Sequence, residues 1–314
     1  MYYIGIDLGG TNIAAGIVNE NGEIIAKKST PTVPQDIEKT VALMARLIKE
    51  LCDEQKIQIK SINSIGVGIP GTINSEEGIV VYSNNLKMEN FEFTKELKKH
   101  IDKPVYISND ANVAALGEAV AGGAKGCDSA VIVTLGTGVG GGIILNNKIW
   151  EGHMSAGAEI GHTVISVDGE QCSCGRKGCW EAYSSATALI RDTKRAIDKN
   201  PDSLMAKMSK EAGKVSGKTA FMAAKEGDKA AKEVVESYIK HLAEGIANIC
   251  NLLAPKCILL GGGVSHEGDN LLIPLREAVK PLLYGGDRVE HAKIDVAVLG
   301  NDAGIIGAAM LGKE

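Results

Sequence analysis

Ile4-Gly5-Ile6-Asp7-Leu8-Gly9-Gly10-Thr11, an apolar run ending in a glycine turn, has a second appearance at Val131-Ile132-Val133-Thr134-Leu135-Gly136-Thr137-Gly138. Another apolar run follows each turn: residues 13–18 after the first, and residues 142–145, Asn146-Asn147 and Ile149 after the second. Duplication often fixes an architecture. Two copies of a strand–glycine turn–strand unit predict two related domains, each presenting a phosphate loop to a shared cleft. Strands and helices alternate around these copies, so the fold class is α/β.

Working outward, a turn at residues 19–22 leads into a short strand at 23–28. Residues 36–55 carry Ile37, Val41, Met44, Leu47, Ile48 and Leu51 at helical spacing. Strands are expected at 62–69, 79–82 and 105–108, and a helix at 111–121. The second half is more helical, with amphipathic stretches at 183–200 and 226–253. Residues 256–260 read as a strand running into Gly261-Gly262-Gly263. A helix at 271–283, a strand at 294–299 and a small-residue helix at 303–311 complete the pattern.

Gly136-Thr137-Gly138-Val139-Gly140-Gly141 satisfies the dinucleotide-binding expression G-x-G-x-x-G, but that reading needs a helix after the glycines. A strand follows instead, so it fails. Gly217-Lys218-Thr219 resembles the end of a P-loop, yet Ala212 stands where the first glycine is required, so this is a connection between helices. What remains is an anion nest built from successive backbone N–H groups, with a threonine hydroxyl as an added donor. Gly9, Gly10, Thr11 and Asn12 form one candidate and Thr137 with Gly138 another; Gly262 and Gly263 would let adenine approach the backbone. Tight hairpin turns are the plainer reading of any one loop; three such loops after apolar strands point to a nucleotide. Asp7, just before the first loop, is placed to reach a phosphate-bound Mg²⁺ through water.

Asn109-Asp110 lies between the strand at 105–108 and the helix at 111–121, where α/β proteins bind ligands. A carboxylate there can take a proton from an attacking hydroxyl, and the helix dipole is expected to favour its ionised form. Phosphoryl transfer asks for little more, since positioning and charge neutralisation do most of the work. Taken alone, Asp110 would be read as a helix cap; beside two phosphate loops it reads as a base.

His162 and Cys172, Cys174 and Cys179 make a Cys₃His set suited to tetrahedral Zn²⁺. Four protein ligands leave no position for water, so this zinc would be structural. Glu159 and His162 are three apart and would share one face of a short helix, and Glu181 follows Cys179 by two. A zinc loop would therefore hold two carboxylates and an imidazole together as a grip for sugar hydroxyls.

The composition agrees. The chain has 314 residues, 44% hydrophobic and 23% charged, with a net charge of −5, which implies no general attraction to nucleic acid or to membranes. The first residues lack a basic region and carry Asp7, unlike a signal peptide, and the clustered cysteines suggest metal more than disulfides, so a cytoplasmic protein is expected.

Asp7-Leu8-Gly9-Gly10-Thr11, the glycine run at 135–142, Glu159-Ile160-Gly161-His162 and the segment 172–181 together resemble the ROK family of sugar kinases and sugar-responsive repressors. The resemblance runs essentially end to end. It implies a two-domain actin-like ATPase or hexokinase-type (ribonuclease H-like) fold with duplicated phosphate-loop domains. The small domain would comprise residues 1–109 plus a returning helix at about 301–314, and the large one residues 110–300. By matching position Asp110 resembles the catalytic base, while Asn109, Glu159, His162 and Glu181 resemble sugar contacts, joined by Gly71 and Asn85. The resemblance implies an ATP-dependent hexose kinase, with glucose the leading acceptor and fructose, N-acetylglucosamine, N-acetylmannosamine and allose as alternatives. It also implies ATP, Mg²⁺ and structural Zn²⁺ as cofactors, and a dimer or tetramer. Glucokinases of this kind often have tryptophan where Met88 stands, so the sugar-side loop departs from pattern. The repressor alternative needs a DNA-binding module ahead of the first strand, which begins here at Tyr2 or Tyr3.

Overall fold

The computed structural model describes residues 1–34 and 36–313. The chain falls into two compact units, the first made of residues 1–131, 142–158 and 297–314, the second of residues 132–141 and 159–296.

In the first unit, β1 (Tyr2–Leu8), β2 (Asn12–Asn19) and β3 (Ile24–Pro31) form an antiparallel meander. The helix α1 (Ile37–Glu54) follows, capped by Asp36, whose side chain accepts the Lys39 N–H at 2.9 Å. Its buried stripe, including Val41, Met44, Ile48 and Leu51, joins the same core as Ile4, Ile6 and Ile17 of the sheet. Next come β4 (Ile62–Ile69), the short strands β5 (Thr72–Asn74), β6 (Ile79–Ser83) and β7 (Met88–Phe91), the helix α2 (Phe93–Lys98), β8 (Val105–Asn109) and α3 (Asp110–Ala121). Among the described residues the main sheet has the order β3-β2-β1-β4-β8, with β4 and β8 added in parallel, and β5-β6-β7 form a small antiparallel sheet.

The chain continues through β9 (Ser129–Leu135), β10 (Val139–Leu145) and β11 (Lys148–Ile149), and the division between units falls inside β9 and β10. Helices α4 (Glu181–Ser184), α5 (Ala186–Lys199), α6 (Leu204–Ala212), α7 (Thr219–Lys225) and α8 (Lys229–Leu253) make the second unit more helical. They are followed by β12 (Cys257–Gly261), α9 (Asp269–Val279), β13 (Lys293–Val296) and α10 (Asp302–Met310). The second sheet has the order β11-β10-β9-β12-β13, the pattern of the first used again.

α10 lies against the first sheet through backbone contact. A Cβ on Gly5 would stand 1.8 Å from the Ile305 carbonyl oxygen, and one on Gly66 would stand 1.7 Å from that of Ala308. Glycine is required at both. α3 meets α10 as closely: a Cβ on Gly307 would stand 1.6 Å from the Val113 oxygen and one on Gly117 2.2 Å from the Ala303 oxygen. Glu118 of α3, 1% exposed, accepts the N–H groups of Gly123 (2.8 Å), Val298 (3.0 Å) and Leu299 (2.8 Å).

These contacts explain two departures from the sequence reading. α3 and residues 142–158 group with the first unit, so the boundary expected at 109/110 is drawn instead after Val131. The strand expected at 294–299 stops at Val296, because Glu118 takes the Val298 and Leu299 N–H groups that a ladder would have used. The helix expected to reach residue 283 gives way after Val279 to a 3₁₀ turn, Lys280–Leu282, with Pro281 at its start.

Candidate active site

The turn between β1 and β2 is pinned from both sides. Gly9 N–H donates to the Asn12 carbonyl (2.9 Å), the Thr32 hydroxyl donates to the Gly9 carbonyl (2.7 Å), and Thr32 N–H donates to that of Thr11 (3.1 Å). Gly10 faces Asn85, whose Cβ would lie 3.5 Å from a Cβ placed on Gly10. Asp7, Gly9, Thr11 and Asn12 line a cavity of about 580 Å³ with Lys27 and Asp302. Gly304 of α10 packs against the Asp7 carboxyl, where a Cβ would lie 3.0 Å from its carbon. Burial, and then the charge of Asp110, push the Asp7 pKa up to about 6. An acid held this reluctantly as an anion is suited to a cation beside it, which fits the expected Mg²⁺.

Asn109, not Asp110, is the N-cap of α3: its Oδ1 accepts the Ala111 N–H at 2.9 Å, while its Nδ2 donates to the Gly71 carbonyl at 2.9 Å. Gly71 has φ +126°, and a Cβ there would stand 2.2 Å from the Tyr82 oxygen, so the acceptor's position depends on glycine. Asp110 also accepts from Ala111 N–H, at 2.9 Å. The helix-dipole expectation for Asp110 is overturned in its net direction. Burial raises its pKa, and the hydrogen bonds from Ala111, its own N–H and Asn109 offset that only in part. The residue keeps solvent-accessible surface; access decides whether a hydroxyl can reach it, and the surrounding protein decides its proton affinity.

In the second unit, ligand atoms of His162, Cys172, Cys174 and Cys179 all lie within 4.8 Å of one another. Cys172 Sγ is 3.7 Å from His162 Nδ1, and Cys174 Sγ is 3.7 Å from Cys179 Sγ. A tetrahedron with Zn–S bonds of about 2.3 Å has edges of about 3.8 Å, so the donor set fits zinc. Gly175 (φ +89°) and Gly178 (φ +76°) supply the turns that converge the sulfurs. Burial pushes the Cys179 thiol up to about 12, whereas the Arg176 backbone N–H draws Cys174 down. A cation would supply the charge that the buried thiolate lacks.

Glu159 opens a 3₁₀ turn, Ile160–His162, rather than an α-helix; with three residues per turn this still sets Glu159 and His162 on one face. Glu181 heads α4, accepting the Val139 N–H at 3.0 Å through Oε2 and the Ser173 hydroxyl at 3.1 Å through Oε1. A Cβ on Gly138 would stand 2.2 Å from that Oε2, so Gly138 is small because Glu181 lies on it. Thr137, Gly138, Cys172, Ser173, Glu181 and Thr187 line a cavity of about 370 Å³. The two later glycines part company. Gly262 (φ +82°) is required by β9, where a Cβ would stand 2.5 Å from the Leu135 oxygen, while a Cβ on Gly263 would meet nothing within 4 Å.

Sequence reasoning missed two acids. Glu118 ties α3 to the start of the last segment, and Glu151 accepts hydroxyl hydrogen bonds from Ser75, Ser108 and Ser155. Neither belongs to a motif, and most of their partners are remote in sequence.

The ROK family model matches residues 3–314. The chain is 38% identical over 317 residues to a glucokinase of Halalkalibacterium halodurans, covering 100% of this chain and 95% of that one. It is 36% identical over 319 residues to a glucokinase of Streptomyces coelicolor, covering 99% and 97%. A ROK family glucokinase from Streptomyces griseus, solved in complex with glucose and AMPPNP, superposes with a TM-score of 0.78 at 33% identity, covering 99% of both chains. With the sheet order used twice, these similarities identify an actin-like, hexokinase-type fold. This chain belongs to the ROK family.

Proposed function

We propose that this chain is a cytoplasmic ATP-dependent hexose kinase that phosphorylates the 6-hydroxyl of glucose. The observation that carries the reading is the Asp110 carboxylate at the head of α3, set by an Asn109 cap that is itself anchored on Gly71. Asp110 accepts the proton of the sugar hydroxyl as its oxygen attacks the γ-phosphorus, and the bond from that phosphorus to the ADP oxygen breaks. A raised pKa makes the carboxylate the better acceptor. Residues Gly9, Gly10, Thr11 and Asn12 of the first unit, and Thr137 and Gly138 of the second, offer backbone and hydroxyl donors to phosphate oxygens; Gly263 leaves room for adenine. Asp7 would hold Mg²⁺ through water, and the ion supplies charge neutralisation at the phosphates. His162, Cys172, Cys174 and Cys179 would hold Zn²⁺, which supplies rigidity to Glu159, His162 and Glu181 as sugar contacts. Asn85, Asn109 and Gly71 complete the sugar side.

The relatives named above are glucokinases, and one was solved with glucose and a nucleotide, which supports both substrates. Met88 stands where glucokinases of this kind often have tryptophan, so other hexoses and N-acetylhexosamines are kept as alternatives. A homodimer or homotetramer is the proposed assembly. The deciding experiment is ADP release from MgATP against a panel of hexoses and N-acetylhexosamines with a no-sugar control. Selective turnover with glucose supports the reading, selectivity for another sugar keeps the mechanism and changes the acceptor, and no turnover with any sugar overturns it.

A further inference from the structure

We infer that Glu151 is a positioning residue for the transfer, a carboxylate clamp that holds the strand end carrying the base against the turn that anchors its cap. The inference rests on the kinase reading of Asp110. Ser108 donates to one Glu151 oxygen and Ser75 to the other, and Ser155 donates to the second at 3.0 Å. Ser108 belongs to β8, is 1% exposed and stands two residues before Asp110. Ser75 follows β5, on the stretch that begins with Gly71, the acceptor of the Asn109 amide. The base is therefore bounded on both sides. Asn109 ties α3 to Gly71, and Glu151 ties the strand ahead of Asn109 to the chain just beyond Gly71.

The third donor adds a constraint. Met154 (φ +56°), Ser155 (φ +53°) and Ala158 (φ +63°) are non-glycine residues in the left-handed region, which persists only where surroundings over-determine it. Ser155 on Glu151, and the Gly157 N–H on the Glu151 carbonyl at 2.8 Å, are such surroundings. One acid thus bonds to all three segments at once, beside the Asn109–Gly71 bond that joins two of them. A displacement of the base by about an ångström costs on the order of a hundredfold in rate, so a clamp of this kind acts on turnover without touching substrate.

The test compares wild type with Glu151→Ala, Glu151→Gln and Ser155→Ala. It uses steady-state kinetics with MgATP and the sugar turned over, and ligand-free hydrogen–deuterium exchange. Glu151→Ala is expected to lower kcat/KM for sugar by about ten- to a hundredfold while KM for ATP stays within about twofold. Exchange should speed up at residues 72–78, 108–110 and 152–158 and stay unchanged in α10. Glu151→Gln should recover most of the loss, because hydroxyls can donate to its amide oxygen and accept from its nitrogen. Sugar kinetics within about twofold of wild type, or a loss shared equally by ATP KM and melting temperature, overturns the inference. Should Glu151→Ala fail to fold, Ser155→Ala decides, with a several-fold fall in sugar kcat/KM expected and no change overturning it. Wild type inactive on every sugar would sink the kinase reading alone; unchanged exchange at residues 108–110 in the variants would then still overturn the clamp.

Discussion

At the scale of single residues, Asp110 and Asp7 of the first unit each make a prediction. Asp110→Asn should lower kcat by about 10²–10⁴-fold, the usual contribution of a general base, while sugar binding measured by calorimetry persists; unchanged turnover would remove Asp110 from the chemistry. Asp7 makes a claim about stability. Its folded pKa of about 6 exceeds the 3.8 of a solvated aspartate, so between those values the folded state binds more protons than the unfolded one. The ionised carboxylate therefore weakens the metal-free fold at pH values above about 6, and the penalty fades as pH falls toward 4. Asp7→Asn should raise the melting temperature of metal-free protein at pH 7.5, by an amount equivalent to at most about 3 kcal/mol, and the advantage should disappear near pH 4. Equal effects at both pH values would refute it. For Asp110, the place at a strand end heading a helix was legible in the sequence, because strand, acid and helix follow one another locally. The direction of its pKa shift was not, since burial comes from segments that the local pattern does not reveal.

At the scale of elements, long periodic segments were read to within a few residues. α1 and β4 follow from spacing alone. The short β5, β7, α2, α6 and α7 were missed, because three to nine residues hold too few repeats for a period to show. α3 and α10 illustrate a different limit. Both read as helices, the second as a small-residue one, but only the pairing explains why Gly117 and Gly307 are glycine. The acid that closes this pair, Glu118, accepts three backbone N–H groups while almost fully buried. Glu118→Ala leaves those donors unpaired and should destabilise the first unit by about 3 kcal/mol, read as a lowered melting transition. A change below about 1 kcal/mol would show that water replaces the carboxylate at no net loss.

At the scale of the whole molecule, the repeated glycine turn disclosed the duplication, and the shared strand order bears it out. The boundary between units was illegible, since it depends on contacts that α10 makes with elements hundreds of residues earlier. The gathering of His162, Cys172, Cys174 and Cys179 was legible because they crowd into one short stretch. Removing the metal with a chelator should lower the melting temperature and raise KM for sugar more than KM for ATP, with zinc found at about one per chain before treatment. Freshly purified protein without zinc would end that assignment. The glycines at Gly5 and Gly66 carry one more consequence, which concerns synthesis. They leave one face of the first sheet bare until Ile305 and Ala308 arrive to cover it. On the ribosome, where domains tend to fold in order of emergence, the second unit is complete while the first still lacks its last helix. The nascent chain must carry an open apolar sheet until α10 has emerged, a window in which holding chaperones, rather than the intrinsic stability of the finished protein, decide how much product survives.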